Sequence, residues 1–547
     1  MQEKAIELVN ISKHFNDVIA NNNVNLTLYK GEILSILGEN GSGKTTLMNM
    51  LSGIYQPDTG EIYIDGKRAT INSPKDAFQY GIGMVHQHFK LVDVFTAEEN
   101  ILLGMGNEKK EEVQRKMQEV IDKYGFEIDY KKKIYNMSVS ERQTVEIIKV
   151  IVRNANILIF DEPTAVLTPQ ETEKLFNVLR KMREHNHSII IITHKLNEVM
   201  EISDRVAILR KGEYITTIET SKTNQRELTD FMVGKKVDLK LERLKIEATK
   251  PVLEIRDLNV LKDDGTPATK NLNFYLRGGQ ILGVAGIAGC GQKEMCEALV
   301  GLRGYRGNVY HDGKSLVGFT PEQIKSEGIY MSFIPEDRLG IGLAPSLSIT
   351  DNILLKSYDK KTGDKKKDFW RKIFVDREGA RNKAKELIER YKVVTPSTET
   401  PVKNLSGGNV QKILVGREID TDPNVIITAY PVRGLDINSA YMIYDILNEE
   451  KAKNTAIMFI GEDLDVLMTF CDKIMVLCHG EIMGIVHTKD TTKEEIGLMM
   501  TGALNLVKDI HPFGIARDTW VPYVESSESV KTTKRNVGTK KAKGGKK

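Results

Sequence analysis

The 547-residue chain carries one internal repeat, in preserved order, at a period far longer than any solenoid unit. A-I-E-L-V-N-I-S-K from Ala5 returns as P-V-L-E-I-R-D-L-N from Pro251, and Y-K-G-E-I-L-S-I-L-G from Tyr29 returns as L-R-G-G-Q-I-L-G-V-A-G from Leu276. T-A-E-E-N-I-L-L-G from Thr96 returns as S-I-T-D-N-I-L-L-K from Ser348, and L-T-D-F-M-V-G-K from Leu228 as I-G-L-M-M-T-G-A from Ile496. Two copies of one pattern call for two copies of one fold, and strand runs alternating with helical patterns make each copy an α/β domain. The length agrees, because one core does not serve a chain of this size. The polar stretch Lys235 to Lys250 divides the halves, giving domains at 1–235 and 251–505, a linker at 236–250 and an extension at 506–547. Lys44 to Ser138 spans 94 positions and its counterpart Gln292 to Ser406 spans 114, so the rear half holds an insertion. Most of it falls around Lys356 to Asp376, where K-K-T-G-D-K-K-K-D reads as an exposed loop.

The most specific motif lies in the front half. Gly38 to Thr46, G-E-N-G-S-G-K-T-T, fits G-x-x-x-x-G-K-[ST] at every fixed position, between an apolar strand run at Ile33 to Leu37 and a helical run to Leu51. Gly41 and Gly43 let backbone N–H groups turn inward around a di- or triphosphate, with Asn40, Ser42 and Thr46 completing the loop. Lys44 supplies a point charge to the outer phosphates, and the Thr45 hydroxyl suits magnesium. A chance glycine-rich turn would not bring strand, lysine, hydroxyl and helix together in this order.

Further along, the strand run Ile157 to Phe160 ends in Asp161 and Glu162, which puts two carboxylates where parallel sheets bind ligands. In phosphate-loop enzymes the first such acid holds magnesium and the second orients and deprotonates a water. The run Ser188 to Thr193 delivers His194 to the same edge, as a γ-phosphate contact.

Composition narrows the setting. Hydrophobic content of 40% and charged content of 28% are ordinary for a globular protein. The cysteines Cys290, Cys296, Cys471 and Cys478 have no metal-type spacing and are too few for a disulfide framework, which fits a reducing compartment. The amino terminus lacks a signal peptide's apolar core, and no apolar run reaches the roughly 20 residues that cross a bilayer, so membrane association is expected to be peripheral. Lys531 to Lys547 holds eight of the 78 basic side chains and none of the 75 acidic ones, leaving 70 against 75 elsewhere. That tail reads as a disordered, solvated segment, and no nucleic-acid partner is expected.

Gly38 to Thr45, Gln87, Ser138 to Gln143, Asp161-Glu162-Pro163-Thr164 and Ile192-Thr193-His194 together resemble the ATP-binding-cassette ATPases: Walker A, Q-loop, signature, Walker B and switch histidine, in order. The resemblance implies two tandem phosphate-loop nucleotide-binding domains, each a mostly parallel sheet with a helical subdomain carrying the signature. It implies ATP and Mg2+ as cofactors, Gln87 as a magnesium contact coupled to a membrane partner, and Phe15 stacked on adenine.

The two halves depart from the pattern in opposite ways. The rear loop keeps Gly286, Gly289 and Gly291, but Gln292 stands for Lys44 and Lys293 for Thr45; Ala429 and Tyr430 stand for the two acids, and Glu462 for the histidine. The rear signature Leu405-Ser406-Gly407-Gly408-Asn409 is intact, whereas the front one reads Met137-Ser138-Val139-Ser140-Glu141, crowded and acidic. Asp436 after the rear Walker B corresponds to Thr168 in front. Crossing the halves gathers Lys44, Asp161, Glu162 and His194 with Ser406, Gly407, Gly408, Asn409 and Asp436 into one hydrolytic site. The defects, Ser138 and Ser140 among them, collect in a second, silent one.

Gly286 to Glu294 and Pro335-Glu336-Asp337-Arg338 resemble the importers of simple sugars and nucleosides. Met84 to Phe89 and D-E-P-T-A-V-L-T-P-Q-E from Asp161 are more similar to the nucleoside importers served by basic membrane lipoproteins. That resemblance implies two integral-membrane permease subunits, an extracytoplasmic solute-binding lipoprotein, and a place at the cytoplasmic face of the membrane. The alternative, a soluble twin cassette acting on ribosomes, would show two working sites, a long charged helical linker and no P-E-D-R segment.

Overall fold

The computed structural model describes residues 3–507 except 17, 88, 107, 166, 235–240, 242, 248 and 358–374. Most of the expected insertion loop, the first part of the expected linker and the basic tail lie outside the described residues.

Each half is built on a parallel sheet of short, aliphatic-rich strands whose central members are buried along their length, the signature of a sheet covered on both faces. In front the order is Arg205–Arg210, Ile33–Leu37, Ser188–Ile192, Ile157–Asp161, Ile82–Val85, with all five in parallel register. The rear repeats it as Lys473–Cys478, Ile281–Gly286, Ala456–Ile460, Val425–Ala429, Met331–Ile334. Beside each lies an antiparallel arm, Lys4–Phe15 with Val18–Tyr29 and Thr59–Ile64 in front, Pro251–Leu261 with Pro267–Arg277 and Tyr305–His311 behind. In front a single pairing, Glu213 with Asn22, joins arm and parallel strands into one ten-stranded sheet; the rear arm stays a separate four-stranded sheet.

Helices cover the sheets and extend into a subdomain on each half: Ala97–Leu102, Lys110–Tyr124 and Val139–Val152 in front, Ile349–Ser357, Arg377–Arg390 and Gly407–Ile419 behind. The repeated N-I-L-L stretch owes its likeness to one buried asparagine. Asn100 exchanges hydrogen bonds with both backbone groups of Val92, and Asn352 does the same with Ala344, pinning the connection that follows the strand Ile82–Val85 or Met331–Ile334. Hydrogen bonds of this kind in a dry interior cost a kilocalorie or more when one partner is removed, roughly 1–3 kcal/mol.

The two halves meet. The Glu39 carboxylate accepts the Ile437 N–H at 3.1 Å, Gln170 donates to the Glu494 carbonyl at 2.9 Å, and Asn197 donates to Asp465 at 2.6 Å. Residues before Pro251 pack on the rear half, where Lys451 reaches the Leu244 carbonyl and Arg243 that of Met468. All four cysteines are buried and free. Among the described residues no helix is long and apolar enough to cross a membrane.

Candidate functional site

The front phosphate loop leaves the buried strand Ile33–Leu37 and enters the helix Lys44–Leu51 through left-handed glycines, with φ of 79° at Gly41 and 93° at Gly43. A Cβ on Gly43 would stand 2.2 Å from the Ala20 carbonyl oxygen and one on Gly38 2.3 Å from that of Leu209, so only glycine fits. Lys44 is buried and folds back, donating to the carbonyls of Gly38 at 2.7 Å and Glu39 at 2.9 Å. Burial lowers its ammonium below the usual lysine range, while Glu162, Asp161 and Glu39 pull the other way. A buried cation held only by carbonyls and facing carboxylates is primed for an anionic ligand.

Asp161 ends its strand in the interior, and Glu162 follows with a φ of 47°, a left-handed turn that leaves its side chain half-buried at the strand end. There Gln87 donates to one oxygen at 3.1 Å and His194 Nδ1 lies 3.0 Å from the other. The His194 hydrogen bond is the main reason the Glu162 carboxyl sits below its ordinary range, against the opposing effect of burial. Behind them Thr164 donates to Glu198 at 2.6 Å and Lys195 pairs with Glu198 at 3.0 Å, bracing the loop that carries Glu162 against the one that carries His194.

These groups share one cleft of about 1550 Å³ between the halves. Its walls include Asn40 to Thr46, Gln87, Asp161, Glu162 and His194 from the front, and Tyr430 to Leu435, Ile437 and Glu462 from the rear. Ser406, Gly407, Gly408 and Asn409 are not on that wall, nor are Asp436, Gly38 and Phe15, nor Gly286, Gly289, Gly291, Gln292, Ser138 and Ser140. From the rear half, Gly434, Leu435 and Ile437 reach this cleft, and Ile437 bonds Glu39 of the front phosphate loop. Phe15 stands exposed at the end of the first strand, edge-on to Tyr55 with ring centroids 5.2 Å apart.

Magnesium demands oxygen ligands and keeps several waters, so a site of one carboxylate, one hydroxyl and substrate phosphates suffices. Asp161, Thr45 and Gln87 offer that donor set. Among the described residues no cluster of three or more His, Cys, Asp or Glu side chains forms a self-contained metal cage.

The rear loop has the same backbone and a different chemistry. Gly289 and Gly291 have φ of 88° and 96°, and a Cβ on Gly291 would stand 2.2 Å from the Ala268 carbonyl. Buried Gln292 donates at 3.1 Å to the Ile287 carbonyl, the acceptor matching that of Glu39, so an amide has taken over the lysine's internal hydrogen bond without its charge. Tyr430 repeats the left-handed turn of Glu162 with a φ of 52°. Beside it Arg433 is flanked by Glu336 and, at 3.1 Å, by Glu462.

The signature helices differ at their first turns. In front Ser138 accepts the Glu141 N–H, and the Glu141 carboxylate accepts the Ser138 N–H at 2.7 Å while Lys132 pairs with it at 2.8 Å. The helix Val139–Val152 thus carries its own anion. In the rear Ser406 makes no cap; its hydroxyl accepts from Asn409 at 2.9 Å, and the N-terminus of Gly407–Ile419 stays open.

The sequence reading missed Arg433, Glu39 and Tyr55. Arg433 stands in R-G-L-D directly before Asp436, and Tyr55 follows the Gly53 that closes the phosphate-loop helix; Glu39 carries no signal, since its partner lies 398 positions away.

The ABC transporter family model matches residues 21–165 and again 269–431. A guanosine import ATP-binding protein of Bacillus subtilis is 42% identical over 92% of this chain and 98% of its own length. A nucleoside import ATP-binding protein of Lactococcus lactis is 39% identical over 91% and 98%, and a glucose import ATP-binding protein of Haloferax volcanii 36% identical over 92% and 96%. With phosphate loop, acids and histidine on one cleft and the pattern matched twice, the chain belongs to the ABC transporter family, as an ATPase built of two tandem cassettes.

Proposed function

We propose that this chain energises an importer for nucleosides, through one hydrolytic site that joins the front half's Lys44, Asp161, Glu162 and His194 to the rear half's Ser406–Gly408 and Asp436, and that the second site is silent. The observation carrying the crossed reading is that Gly434, Leu435 and Ile437 of the rear half line the same cleft as the front phosphate loop, with Ile437 bonded to Glu39. The defects support it independently, since each half alone mixes sound and ruined parts. Nucleoside over sugar rests on the resemblance of Met84 to Phe89 and on the guanosine and nucleoside import relatives. Those import relatives also favour this reading over the ribosomal one.

In this reading Lys44 and the loop N–H groups hold the triphosphate, and Phe15 carries the adenine. Bound magnesium would be held by Thr45, Asp161 and Gln87 and would neutralise phosphate charge. Glu162, kept ionised by His194, takes the proton from water, and His194 steadies the γ-phosphate. The open N-terminus of the rear signature helix then closes over that phosphate, and Gln87, with Glu336 on the rear half, passes the motion to two permease subunits at the cytoplasmic face of the membrane. An extracytoplasmic lipoprotein sets solute specificity.

Co-purification of the tagged full chain tests the assignment. Two multi-span membrane proteins and a magnesium-dependent ATPase support it; ribosomes in their place, or no turnover, defeat it.

A further inference from the structure

The segment Pro335-Glu336-Asp337-Arg338 ends in a guanidinium to which the reading above gives no work. Arg338 opens a short turn of π-helix, Arg338–Gly342, held by the Asp337 carboxylate, which accepts the N–H groups of Leu339 and Gly340. Its side chain leaves that turn and crosses to two other loops. One donor bonds the carbonyl of Arg433, in the segment that lines the shared cleft, and Nη1 lies 3.5 Å from the carbonyl oxygen of Gly407 in the signature loop. The approach is close enough that a Cβ on Gly407 would stand 3.4 Å from the guanidinium. Both acceptors are backbone carbonyls, so the side chain spends its fork of donors on fixing two loops relative to each other.

We infer that Arg338 is a positioning residue for ATP hydrolysis: it ties the rear signature loop to the segment Arg433 to Ile437, so that the two rear loops reach the front nucleotide as one unit. The inference rests on the crossed reading. It goes beyond that reading in naming what links a loop already seated against the front phosphate loop, through Ile437 and Glu39, to one that is not on the cleft wall. The front half gives the contrast. Aligning Gln87 with Glu336 places Phe89 opposite Arg338, a side chain with no donor to make such a tie. Arg433 also connects the tie to the rear counterpart of the His194 position, where Glu336 and Glu462 hold its side chain while its carbonyl holds Arg338.

The test compares Arg338→Gln, Arg338→Lys and Ser406→Ala in the purified full chain, reading kcat and KM for magnesium-ATP, affinity for a fluorescent ATP analogue, and the melting temperature. Loosening a positioned group typically costs about tenfold or more in turnover. R338Q is expected to lose that much kcat while analogue affinity stays within about threefold, because Lys44 and Phe15 are untouched, and R338K to regain part of the loss through its remaining donors. R338Q turning over within about twofold of the parent, while S406A is slowed about tenfold or more, overturns the inference and leaves the crossed reading standing. A parallel fall of kcat, affinity and melting temperature in R338Q also overturns it, as general damage. Full activity in S406A removes the crossed reading itself, and the inference with it.

Discussion

The two switch regions occupy matching places on matching sheets, yet their charges are inverted. In front a central carboxylate, Glu162, is held by a neutral amide from Gln87 and by His194; in the rear a central cation, Arg433, is held by two carboxylates, Glu336 and Glu462, beside the phenol of Tyr430. The backbones scarcely differ, with left-handed turns of 47° and 52° at Glu162 and Tyr430 and of 93° and 96° at Gly43 and Gly291. Burial pushes the Glu462 carboxyl up while Arg433, His194 and Lys195 pull it down, whereas the His194 hydrogen bond holds Glu162 below its usual range. A fold of this kind is fixed by glycines and strand burial, and its chemistry by a few side chains at strand ends that can be exchanged without moving the chain. The rear half satisfies internally what the front half keeps for a ligand.

The sharpest way to break this comparison is to remove the carboxylate. Glu162→Gln is expected to lower steady-state ATPase by about a hundredfold to ten-thousandfold, the usual worth of a general base, while Tyr430→Phe in the rear leaves it within about twofold. Next comes the lysine position: Lys44→Ala is expected to cost about a hundredfold or more by removing the phosphate's charge partner, whereas Gln292→Ala keeps most of the activity and loses about 1 kcal/mol of stability in denaturant titration. Equal losses from Lys44→Ala and Gln292→Ala would erase the asymmetry.

The signature helices give a smaller contrast. Ser406→Ala is expected to slow turnover by about tenfold through loss of a donor to a charged oxygen, while Ser138→Ala removes only a cap, about 1 kcal/mol of stability, with no change in rate. Removing His194 should move the acidic limb of single-turnover ATP cleavage to higher pH, because the hydrogen bond that most lowers the Glu162 carboxyl is then lost. The sign follows from a depressed native pKa: the stabilisation is present above the unfolded carboxyl's range near pH 4.3 and is lost as pH falls through the lower native value. An unmoved limb in both His194→Ala and His194→Gln would detach the histidine from Glu162. Smallest is the adenine platform, where Tyr55→Leu removes an aromatic pair of about 0.5–1.5 kcal/mol and should raise the KM for ATP severalfold; Leu261→Ala on the matching rear strand should leave it unchanged.

The phosphate loop, both acids and the histidine were legible from the sequence because each sits within a few residues of a buried strand, and strand ends on a parallel sheet converge without further information. Glu141 was legible as a charge near a phosphate but not as the carboxylate that closes its own helix, since the reciprocal bond with Ser138 depends on the cap's conformation. Arg338 could be quoted from P-E-D-R, but its acceptors on Gly407 and Arg433 lie 69 and 95 positions away.

By itself the sequence determined that the chain is two copies of one phosphate-loop fold whose motifs differ at complementary positions, because short-range spacing of glycine, lysine and strand-end acids encodes local backbone and charge. Only the tertiary structure decided which surfaces share a cleft: Glu39 bonds Ile437 from 398 positions away, and the rear half presents Gly434, Leu435 and Ile437 there while its signature is not on that wall. The physical reason is that contacts between two packed bodies depend on the shape and charge of whole faces, which no periodicity along the chain records.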